Sequence, residues 1–242
     1  MSYGYERIRY ELKYPVGFDQ ASAFLRDLAP HLVPDSHGDA GRYVVYSTYF
    51  DTRTLTCYYE KLDGFAGRIK FRLRTYPGAG RPQWFLESKE RVRHYIAKHR
   101  VRVSPEQADR LLATHLSPAT LDGIVPPDHP LAVKLAPLLR HGVLYPTVAV
   151  YYRRNAYVFH GARDVRITLD HNLVALPGRT PTDRLPGVLP VHPRDRLLIE
   201  VKGNGWMPIE VMDAICRQGL VARAFSKYCA CVEQAYHLPA SA

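Results

Sequence analysis

The sequence has few cysteines, and their spacing suits neither a disulfide scaffold nor a zinc site. Its 242 residues contain four, Cys57, Cys216, Cys229 and Cys231. No stretch approaches the roughly 18 apolar residues that a membrane-spanning helix needs, and the residues after Met1 contain no apolar signal core. We also find no internal repeat and no low-complexity tract. We therefore expect a cytoplasmic protein with reduced thiols.

Acidic residues are scarce relative to basic ones. The chain has 33 Lys and Arg against 23 Asp and Glu, which gives a formal net charge of +10 at pH 7. Such an excess attracts polyanions and leaves nucleic acid, an acidic membrane surface or a phosphorylated small molecule as partners. With 46% hydrophobic residues, the chain can bury a substantial core, and we expect a single domain over residues 1–242.

Hydrophobic periodicity predicts an α+β protein rich in antiparallel strands. Apolar residues at steps of three and four predict a helix over about 18–32, and Ser104, Pro105 and Gln107 form a capping pattern that opens another. Further helices are expected over 131–139 and over 208–236, the second one broken near Gly219. The strand-like segments are 6–13, 42–50, 56–61, 67–76, 83–93, 96–103, 146–160, 164–170 and 196–202. Segments rich in Pro and Gly, 116–128 and 177–193, are expected to be loops, the second of them a candidate mobile rim.

Charged residues alternate with apolar ones on several of these strands. The segment GRIKFRLRTY, residues 67–76, has a cation at every second position, with Ile69, Phe71 and Leu73 between them. Because successive side chains of a strand point to opposite faces, such a strand has one apolar face and one ionic face. The same alternation recurs in five further groups: Arg9, Glu11 and Lys13; Glu87, Lys89, Arg91 and Arg93; Arg100 and Arg102; Arg166, Thr168 and Asp170; and Glu200 and Lys202.

Two architectures accommodate this alternation. In an open sheet the apolar faces would pack on helices and the charged faces would lie in water. In a closed eight-stranded antiparallel β-barrel with flanking helices, the ionic faces would line a tunnel that binds polyvalent anions. Arginine dominates these faces, and its planar guanidinium binds phosphate oxygens in pairs. We therefore expect the closed barrel, with a multivalent anion, a metal and interspersed carboxylates to neutralise the cations.

Eight short motifs occur in order over about residues 6–235. They are RYELKY (9–14), STYFDT (47–52), RLRTY (72–76), ESK (87–89), YRRNAY (152–157), VRITLD (165–170), EVK (200–202) and FSKY (225–228). In this order they resemble the VTC domain, the polyphosphate-polymerase branch of the triphosphate tunnel metalloenzymes. The resemblance implies an eight-stranded tunnel whose basic wall binds a triphosphate or polyphosphate, with a divalent metal, Mn²⁺ or Mg²⁺, held by carboxylate.

The resemblance also implies roles for individual residues. The catalytic cations would be Arg72, Arg74, Arg154, Arg166 and Lys227. The substrate- and phosphate-binding residues would be Lys13, Lys61, Lys89 and Lys202. Arg68 and Lys70 extend the same ionic face as Arg72 and Arg74, and for that reason we expect them to line the tunnel and bind phosphate as well. The metal would be held by Glu200, with Glu11 and Glu87 as further ligands. Read without the resemblance, Glu200 could simply pair with Lys202 or an arginine, and Lys227 could be a solvated helix residue. Lys61 falls where eukaryotic members have arginine, so its role is the least defined.

The first motif differs from that of the wider superfamily at one position, and this difference reduces the number of reactions to be expected. The CYTH enzymes open with Glu-x-Glu-x-Lys, whereas Arg9 makes this motif Arg-x-Glu-x-Lys. The loss of one metal-binding carboxylate favours the VTC branch over adenylate cyclase or thiamine-triphosphatase chemistry. We expect a polyphosphate polymerase that uses ATP, with an inorganic tripolyphosphatase and a non-catalytic polyanion-binding module as alternatives.

The expected partners follow from the same residues. They are ATP and polyphosphate or tripolyphosphate. Nucleic acid is not expected, because the residues between the cations, such as Ile69, Phe71 and Leu73, lie on the opposite face of the strand and offer no evident platform for base stacking. Since the sequence shows no membrane segment and no phosphate-sensing module, coupling to transport across a membrane would require a membrane-bound partner subunit.

Overall fold

The computed structural model describes residues 9–77, 83–92, 95–177, 189–191 and 196–239, which form an α+β structure built on an antiparallel sheet. The strands are β1 (Arg9–Gly17), β2 (Leu32–Pro34), β3 (Arg42–Asp51), β4 (Gly67–Thr75), β5 (Trp84–Val92), β6 (Tyr95–Val103), β7 (Tyr145–Phe159), β8 (Ala162–Pro177), β9 (Leu189–Pro190) and β10 (Arg196–Asn204). The helices are α1 (Phe18–Leu28), α2 (Thr56–Leu62), α3 (Pro105–Ala113), α4 (Pro118–Leu121), α5 (Pro130–Leu139), α6 (Ile209–Arg217) and α7 (Lys227–Tyr236), with a short 3-10 helix at Ala29–His31. In the described ranges, no helix is both long enough and apolar enough to cross a bilayer.

The strands form one sheet whose order is β1-β10-β8-β7-β3-β4-β5-β6, with β2 paired to β7 and β9 paired to β8. A barrel requires its two end strands to pair with each other. Within the described residues the order instead has two ends, β1 and β6. In β1, the Lys13 carbonyl accepts a hydrogen bond from the amide of Arg223, at 2.9 Å, in a segment that is not a strand. The predicted closed barrel is therefore wrong for the described part of the chain, whereas the α+β class and the antiparallel sheet are confirmed.

The chain forms two compact units, each with its own hydrophobic core. Unit 1 comprises Met1–Tyr43, Tyr152–Asn172 and His192–Phe225, and unit 2 comprises Val44–Tyr151, Leu173–Val191 and Ser226–Ala242. In unit 1, α1 and α6 pack on the apolar faces of β1, β8 and β10, and the core includes Phe24, Ile199 and Val211. In unit 2, α3 and α5 pack on β4 and β5, and the core includes Leu86, Leu111 and Leu131. The expectation of a single domain stays a prediction.

The apolar face of β4 is buried as the alternation predicts. Phe71 and Leu73 are both 0% exposed and lie in the core of unit 2, with Ile69 partly buried against it. Because the strand alternates, the side chains at 68, 70, 72 and 74 share the opposite face. The division of this strand into an apolar and a cationic face is confirmed.

One predicted strand, at 56–61, is a helix. Helix α2 buries Cys57 and Tyr58. The Asp51 carboxylate accepts hydrogen bonds from the amides of Cys57, at 2.9 Å, and Tyr58, at 3.2 Å. These amides are among the first-turn donors that have no partner inside a helix. Since this cap comes from outside the segment, the local pattern of 56–61 does not show it, and Lys61 lies on a helix rather than a strand.

The predicted helices are present in the described residues. Helix α3 begins with the expected capping box, in which Ser104 Oγ accepts from the amide of Gln107 at 3.2 Å and the Gln107 side chain accepts from the amide of Ser104 at 2.8 Å. The C-terminal helical pattern is broken near Gly219 into α6 and α7, also as predicted. The loop predicted at 116–128 contains the short α4. Of the rim predicted at 177–193, β9 is seen, whereas 178–188, 192 and 193 lie outside the described residues.

Candidate functional site

A buried carboxylate on β5, Glu87, gathers three cations in unit 2. Glu87 is 0% exposed. Arg72 on β4 donates from Nε to Glu87 Oε2 at 2.8 Å, and Nε of Arg74 lies 4.0 Å from the same oxygen. From β6, Nζ of Lys98 lies 2.7 Å from Glu87 Oε1. These four residues are named the Glu87 cluster below.

Two hydroxyl groups on β3 hold the arginines of this cluster. Arg72 donates from Nη1 to the Tyr49 hydroxyl at 3.0 Å, and Arg74 donates from Nε to Ser47 Oγ at 2.9 Å. Both contacts follow from the register, because Tyr49 pairs with Arg72 and Ser47 with Arg74 in the β3–β4 ladder. The arginine side chains are 11% and 9% exposed. Their guanidinium groups are thus fixed in position while retaining contact with solvent.

The cations of this cluster lower the pKa values of two neighbouring acidic groups, the Glu87 carboxyl and the Tyr49 hydroxyl. Burial raises the pKa of Glu87, but Arg72, Arg74 and Lys98 outweigh burial and hold that pKa at about 2. Burial also raises the pKa of Tyr49, whereas Arg72, Arg74 and then Lys70 lower it to below its ordinary value. Both shifts have the same cause, a local excess of positive charge that favours anions.

The depressed pKa of Glu87 predicts a specific loss of stability in acid. A carboxyl whose pKa falls on folding stabilises the protein above its ordinary pKa of 4.5, and this contribution is lost as pH falls through about 2. Between about pH 5 and pH 2, the free energy of unfolding of the wild type should fall by up to about 3 kcal/mol more than that of Glu87→Gln. Urea unfolding of both proteins at a series of pH values measures the difference. Equal decreases would contradict the assigned ion pairs.

The face of β4, β5 and β6 that carries this cluster has a large excess of positive charge. Lys70, Lys89 and Lys98 stand directly opposite one another on the three adjacent strands. Like charges in such positions are destabilising. Among the described side chains of this face there are nine cations and one carboxylate, Glu87; the cations are Arg68, Lys70, Arg72, Arg74, Lys89, Arg91, Lys98, Arg100 and Arg102. We call this surface the cationic face.

Unit 1 contains a second network, in which a buried arginine is held by two carboxylates. Arg154 on β7 pairs with Asp170 on β8 through two contacts, Nε to Oδ1 at 2.6 Å and Nη2 to Oδ2 at 2.7 Å. Its Nη2 also donates to Glu200 Oε2 on β10 at 3.4 Å. Burial lowers the pKa of Arg154, but Asp170, Tyr152 and Glu200 raise it well above its ordinary value. The guanidinium therefore stays charged although its side chain is only 10% exposed.

A lysine in the same network contacts two carboxylates at once. Nζ of Lys202 lies 2.5 Å from Glu200 Oε2 and 3.7 Å from Glu11 Oε1. Nζ of Lys13 lies 3.6 Å from Glu11 Oε1 and donates to the Phe225 carbonyl at 2.9 Å. The register accounts for the contact between Lys202 and Glu11, which pair in the β1–β10 ladder, whereas Lys202 with Glu200 and Lys13 with Glu11 are two residues apart on one strand. Opposite charges thus alternate across these two strands.

Arg166 on β8 is bound at its terminal nitrogen. Its Nη2 donates to the Tyr43 hydroxyl at 2.8 Å and lies 2.9 Å from Asp35 Oδ2. Burial raises the pKa of Asp35, but hydrogen bonds from His37 and the charge of Arg166 lower it to below its ordinary value. Nε of Arg166 is buried and has no hydrogen-bond partner within the described residues.

Glu11 and Glu200 are the predicted metal ligands best placed to share a cation, since Lys202 contacts both. In the ranges that the structure describes, no three or more His, Cys, Asp and Glu side chains are grouped to hold a metal ion. A Mg²⁺ ion used in phosphoryl transfer is held by one or two carboxylates together with phosphate oxygens, and Mn²⁺ also prefers oxygen ligands. The carboxylate oxygens of Glu11 and Glu200 are of this ligand type, but Lys13, Lys202 and Arg154 contact them, and their role as metal ligands stays a prediction. Glu87 is engaged by three cations, and its role as a ligand stays a prediction.

The remaining predicted residues lie in unit 2. Lys61 is in the last turn of α2, Lys227 is the first residue of α7, and Lys70 donates from Nζ to Ser226 Oγ at 3.0 Å. Arg68 and Lys89 lie on the cationic face. The structure thus places Arg72 and Arg74 in the Glu87 cluster of unit 2 and Lys13, Arg154 and Lys202 in the network of unit 1, and the functional roles of all the predicted cations stay predictions.

Sequence reasoning missed two members of these networks. Lys98 alternates with Arg100 and Arg102 along β6, so the period-2 pattern could have identified it. Asp170 was part of a recognised alternation but had no assigned role. Its pairing with Arg154 depends on the contact between β7 and β8, which the alternation of one strand does not encode.

Solved structures show the same fold at low sequence identity. A proposed adenylate cyclase from Bacillus halodurans matches with a TM-score of 0.54 and 11% identity, over 91% of this chain and 93% of that one. A proposed adenylyl cyclase from Hippeastrum, with a dominant triphosphatase activity, matches with a TM-score of 0.50 and 13% identity, over 93% and 94% of the two chains. A search of curated proteins found none that matches.

The sequence identities to these solved structures are too low to assign the chain to a family, but a match to a family model does assign it. The model of the VTC domain matches residues 8–236, which include all eight motifs and the residues of both networks. The chain therefore belongs to the VTC domain family.

Proposed function

We propose that this protein is a metal-dependent phosphotransferase that moves the γ-phosphate of ATP onto a growing polyphosphate chain. The observation that carries the proposal is the cationic face, where nine cations accompany a single described carboxylate. A triphosphate or polyphosphate has closely spaced negative charges that would relieve the repulsion within such a surface. Membership of the VTC domain family supports the same class of substrate.

Arg72 and Arg74 would bind the oxygens of the transferred phosphate. Phosphoryl transfer needs alignment of the nucleophile and leaving group, and neutralisation of charge, more than covalent help from the protein. A terminal oxygen of the chain attacks the γ-phosphorus, the bond from that phosphorus to the oxygen of the β-phosphate breaks, and ADP leaves. The two guanidinium groups are already positioned by Glu87, Tyr49 and Ser47, so they would stabilise the developing charge without rearrangement.

For the other predicted residues we propose the roles that the resemblance and the ionic faces imply. Arg154, Arg166 and Lys227 would act as further catalytic cations, and the phosphate-binding lysines and Arg68 would hold the rest of the substrate. Glu11 and Glu200 would hold a divalent cation, Mn²⁺ or Mg²⁺, which supplies neutralisation of phosphate charge when it is bound. Lys202 balances these two carboxylates through its contacts with both.

A tripolyphosphatase is the second candidate. Water would take the place of the chain oxygen, and the same cations would stabilise the transferred group. The triphosphatase activity of the Hippeastrum protein, which shares the fold, favours this alternative over other hydrolytic reactions.

Product analysis separates the candidates. The purified protein is incubated with ATP and Mn²⁺ and, in parallel, with tripolyphosphate and Mn²⁺; polyphosphate is resolved on a gel and released phosphate is measured. Chain growth from ATP is the expected result, and removal of the metal with a chelator should end it. Phosphate release without chain growth would assign a tripolyphosphatase. Binding of tripolyphosphate without turnover would assign a binding module, and absence of both binding and turnover would overturn the proposal.

A further inference from the structure

Asp51, at the end of β3, is a fully buried carboxylate that joins three elements of unit 2. It is 0% exposed. Its Oδ1 accepts from the amides of Thr52, at 2.7 Å, and Cys57, at 2.9 Å. Its Oδ2 accepts from the amide of Tyr58, at 3.2 Å, and from the Tyr228 hydroxyl. One side chain thereby ties β3 to the first turns of both α2 and α7.

The ring of Tyr228 extends this connection to the cationic face. Its centroid lies 4.9 Å from that of Tyr49, whose hydroxyl accepts from Arg72. Nζ of Lys70 lies 4.7 Å from the centroid of the Tyr228 ring, within the range of a cation–π contact. A continuous set of contacts therefore leads from Asp51 to two cations of β4.

The start of α7 is anchored on both sides of Lys227. Ser226 caps the helix, because its Oγ accepts from the amide of Cys229 at 3.3 Å, and the same oxygen accepts from Lys70. Tyr228 follows Lys227 directly and is bound to Asp51. Since both neighbours are held, the backbone of Lys227 is fixed relative to β4.

We infer that Asp51 and Tyr228 are positioning residues, which fix Lys227 at the start of α7 and Lys70 and Arg72 on β4 for phosphate binding. The inference rests on the proposed function for its ligand. Both residues are buried, at 0% and 2% exposure, so they act through the cations and not on the substrate. A hydroxyl that donates to a buried carboxylate makes a charge-assisted hydrogen bond, which is stronger than a neutral one. Its removal would release the first turn of α7 while leaving the aromatic ring in the core.

The matched pair Tyr228→Phe and Tyr58→Phe tests this role. Tyr58 also joins α2 to α7, because its hydroxyl donates to Glu233 Oε1 at 3.4 Å, but this contact lies further along α7. Tyr228→Phe should bind tripolyphosphate about tenfold more weakly than the wild type by titration calorimetry. Without ligand, its amides at the start of α7 should exchange hydrogen faster. Tyr58→Phe should leave both values near those of the wild type.

Each outcome decides a separate point. If Tyr228→Phe binds tripolyphosphate as tightly as the wild type, the positioning role is overturned and the proposed function stands. If Tyr58→Phe weakens binding equally, the effect is a general loosening of α7, and the role is again overturned. If the wild type does not bind tripolyphosphate, the ligand role of these residues is overturned, whatever the exchange rates show, and the assay of chain growth from ATP decides the proposed function separately. Asp51→Asn removes the charge but keeps the shape, and it should weaken binding at least as much as Tyr228→Phe.

Discussion

Replacing Arg72 with alanine is expected to reduce turnover by about 10²- to 10³-fold and the free energy of unfolding by about 3–5 kcal/mol. The loss of turnover follows from the removal of a positioned donor to the transferred phosphate. The loss of stability follows from Glu87, which is fully buried and accepts from Arg72 at 2.8 Å. Steady-state kinetics with ATP and urea unfolding measure the two effects independently.

A second substitution separates these effects. In Arg72→Ala with Glu87→Gln, no charged carboxylate is left underneath the vacated position, so part of the lost stability should return. The recovery should be incomplete, because Arg74 and Lys98 lose the same partner. Turnover should stay low, because the guanidinium is still missing. If turnover recovers together with stability, Arg72 acts only by neutralising Glu87 and does not bind the phosphate.

Replacing Asp170 with asparagine is expected to destabilise the protein by about 3–5 kcal/mol and to lower its melting temperature by roughly 10 °C. Arg154 would lose both of its contacts to the Asp170 carboxylate, at 2.6 and 2.7 Å, and its remaining contact with a carboxylate described here is the longer one to Glu200. Because the Arg154 side chain is almost entirely buried, water cannot replace the lost interaction. Thermal unfolding followed by circular dichroism measures the change.

Adding Arg154→Gln to Asp170→Asn provides the control. With neither charge present, the melting temperature should rise towards that of the wild type. A melting temperature for Asp170→Asn within about 2 °C of the wild type would contradict the view that this pair is a main stabilising contact between β7 and β8.

The parts of the fold that could be predicted are those encoded by local spacing. The period of two in β4 predicts the burial of Phe71 and Leu73, and the Ser104 and Gln107 pattern predicts the start of α3. Helix α2 could not be predicted in this way, because its first amides are capped by Asp51 from outside the segment. The same carboxylate binds Tyr228, which lies 177 residues away in sequence. Local patterns contain no information about such a partner.

The types of residue in the candidate site could be predicted from the sequence, but the contacts that these residues make with one another could not. Glu87 and Glu200 occur in identical Glu-x-Lys settings, and the sequence offers no means of distinguishing them. The structure does distinguish them: Glu87 stands among arginines and Lys98, whereas Glu200 shares Lys202 with a second carboxylate, Glu11. This difference comes from the identity of the neighbouring strands. The charge alternation of single strands cannot determine the order of the strands in the sheet. For this reason the closed barrel was predicted wrongly.

The two hydrophobic cores differ in how the chain assembles them during synthesis. The cluster of unit 2 that contains Leu86, Leu111 and Leu131 is drawn from one continuous stretch, from Phe50 to Leu144, so its contacts can form as soon as that stretch has emerged. The core of unit 1 joins Tyr14 with Ile199 and Leu220, and β1 has no partner in its ladder until β10 has been made. Closing so long a loop is entropically costly and slow. Until β10 has been made, β1 lacks its partner in this ladder, and its strand edge is open to wrong pairing.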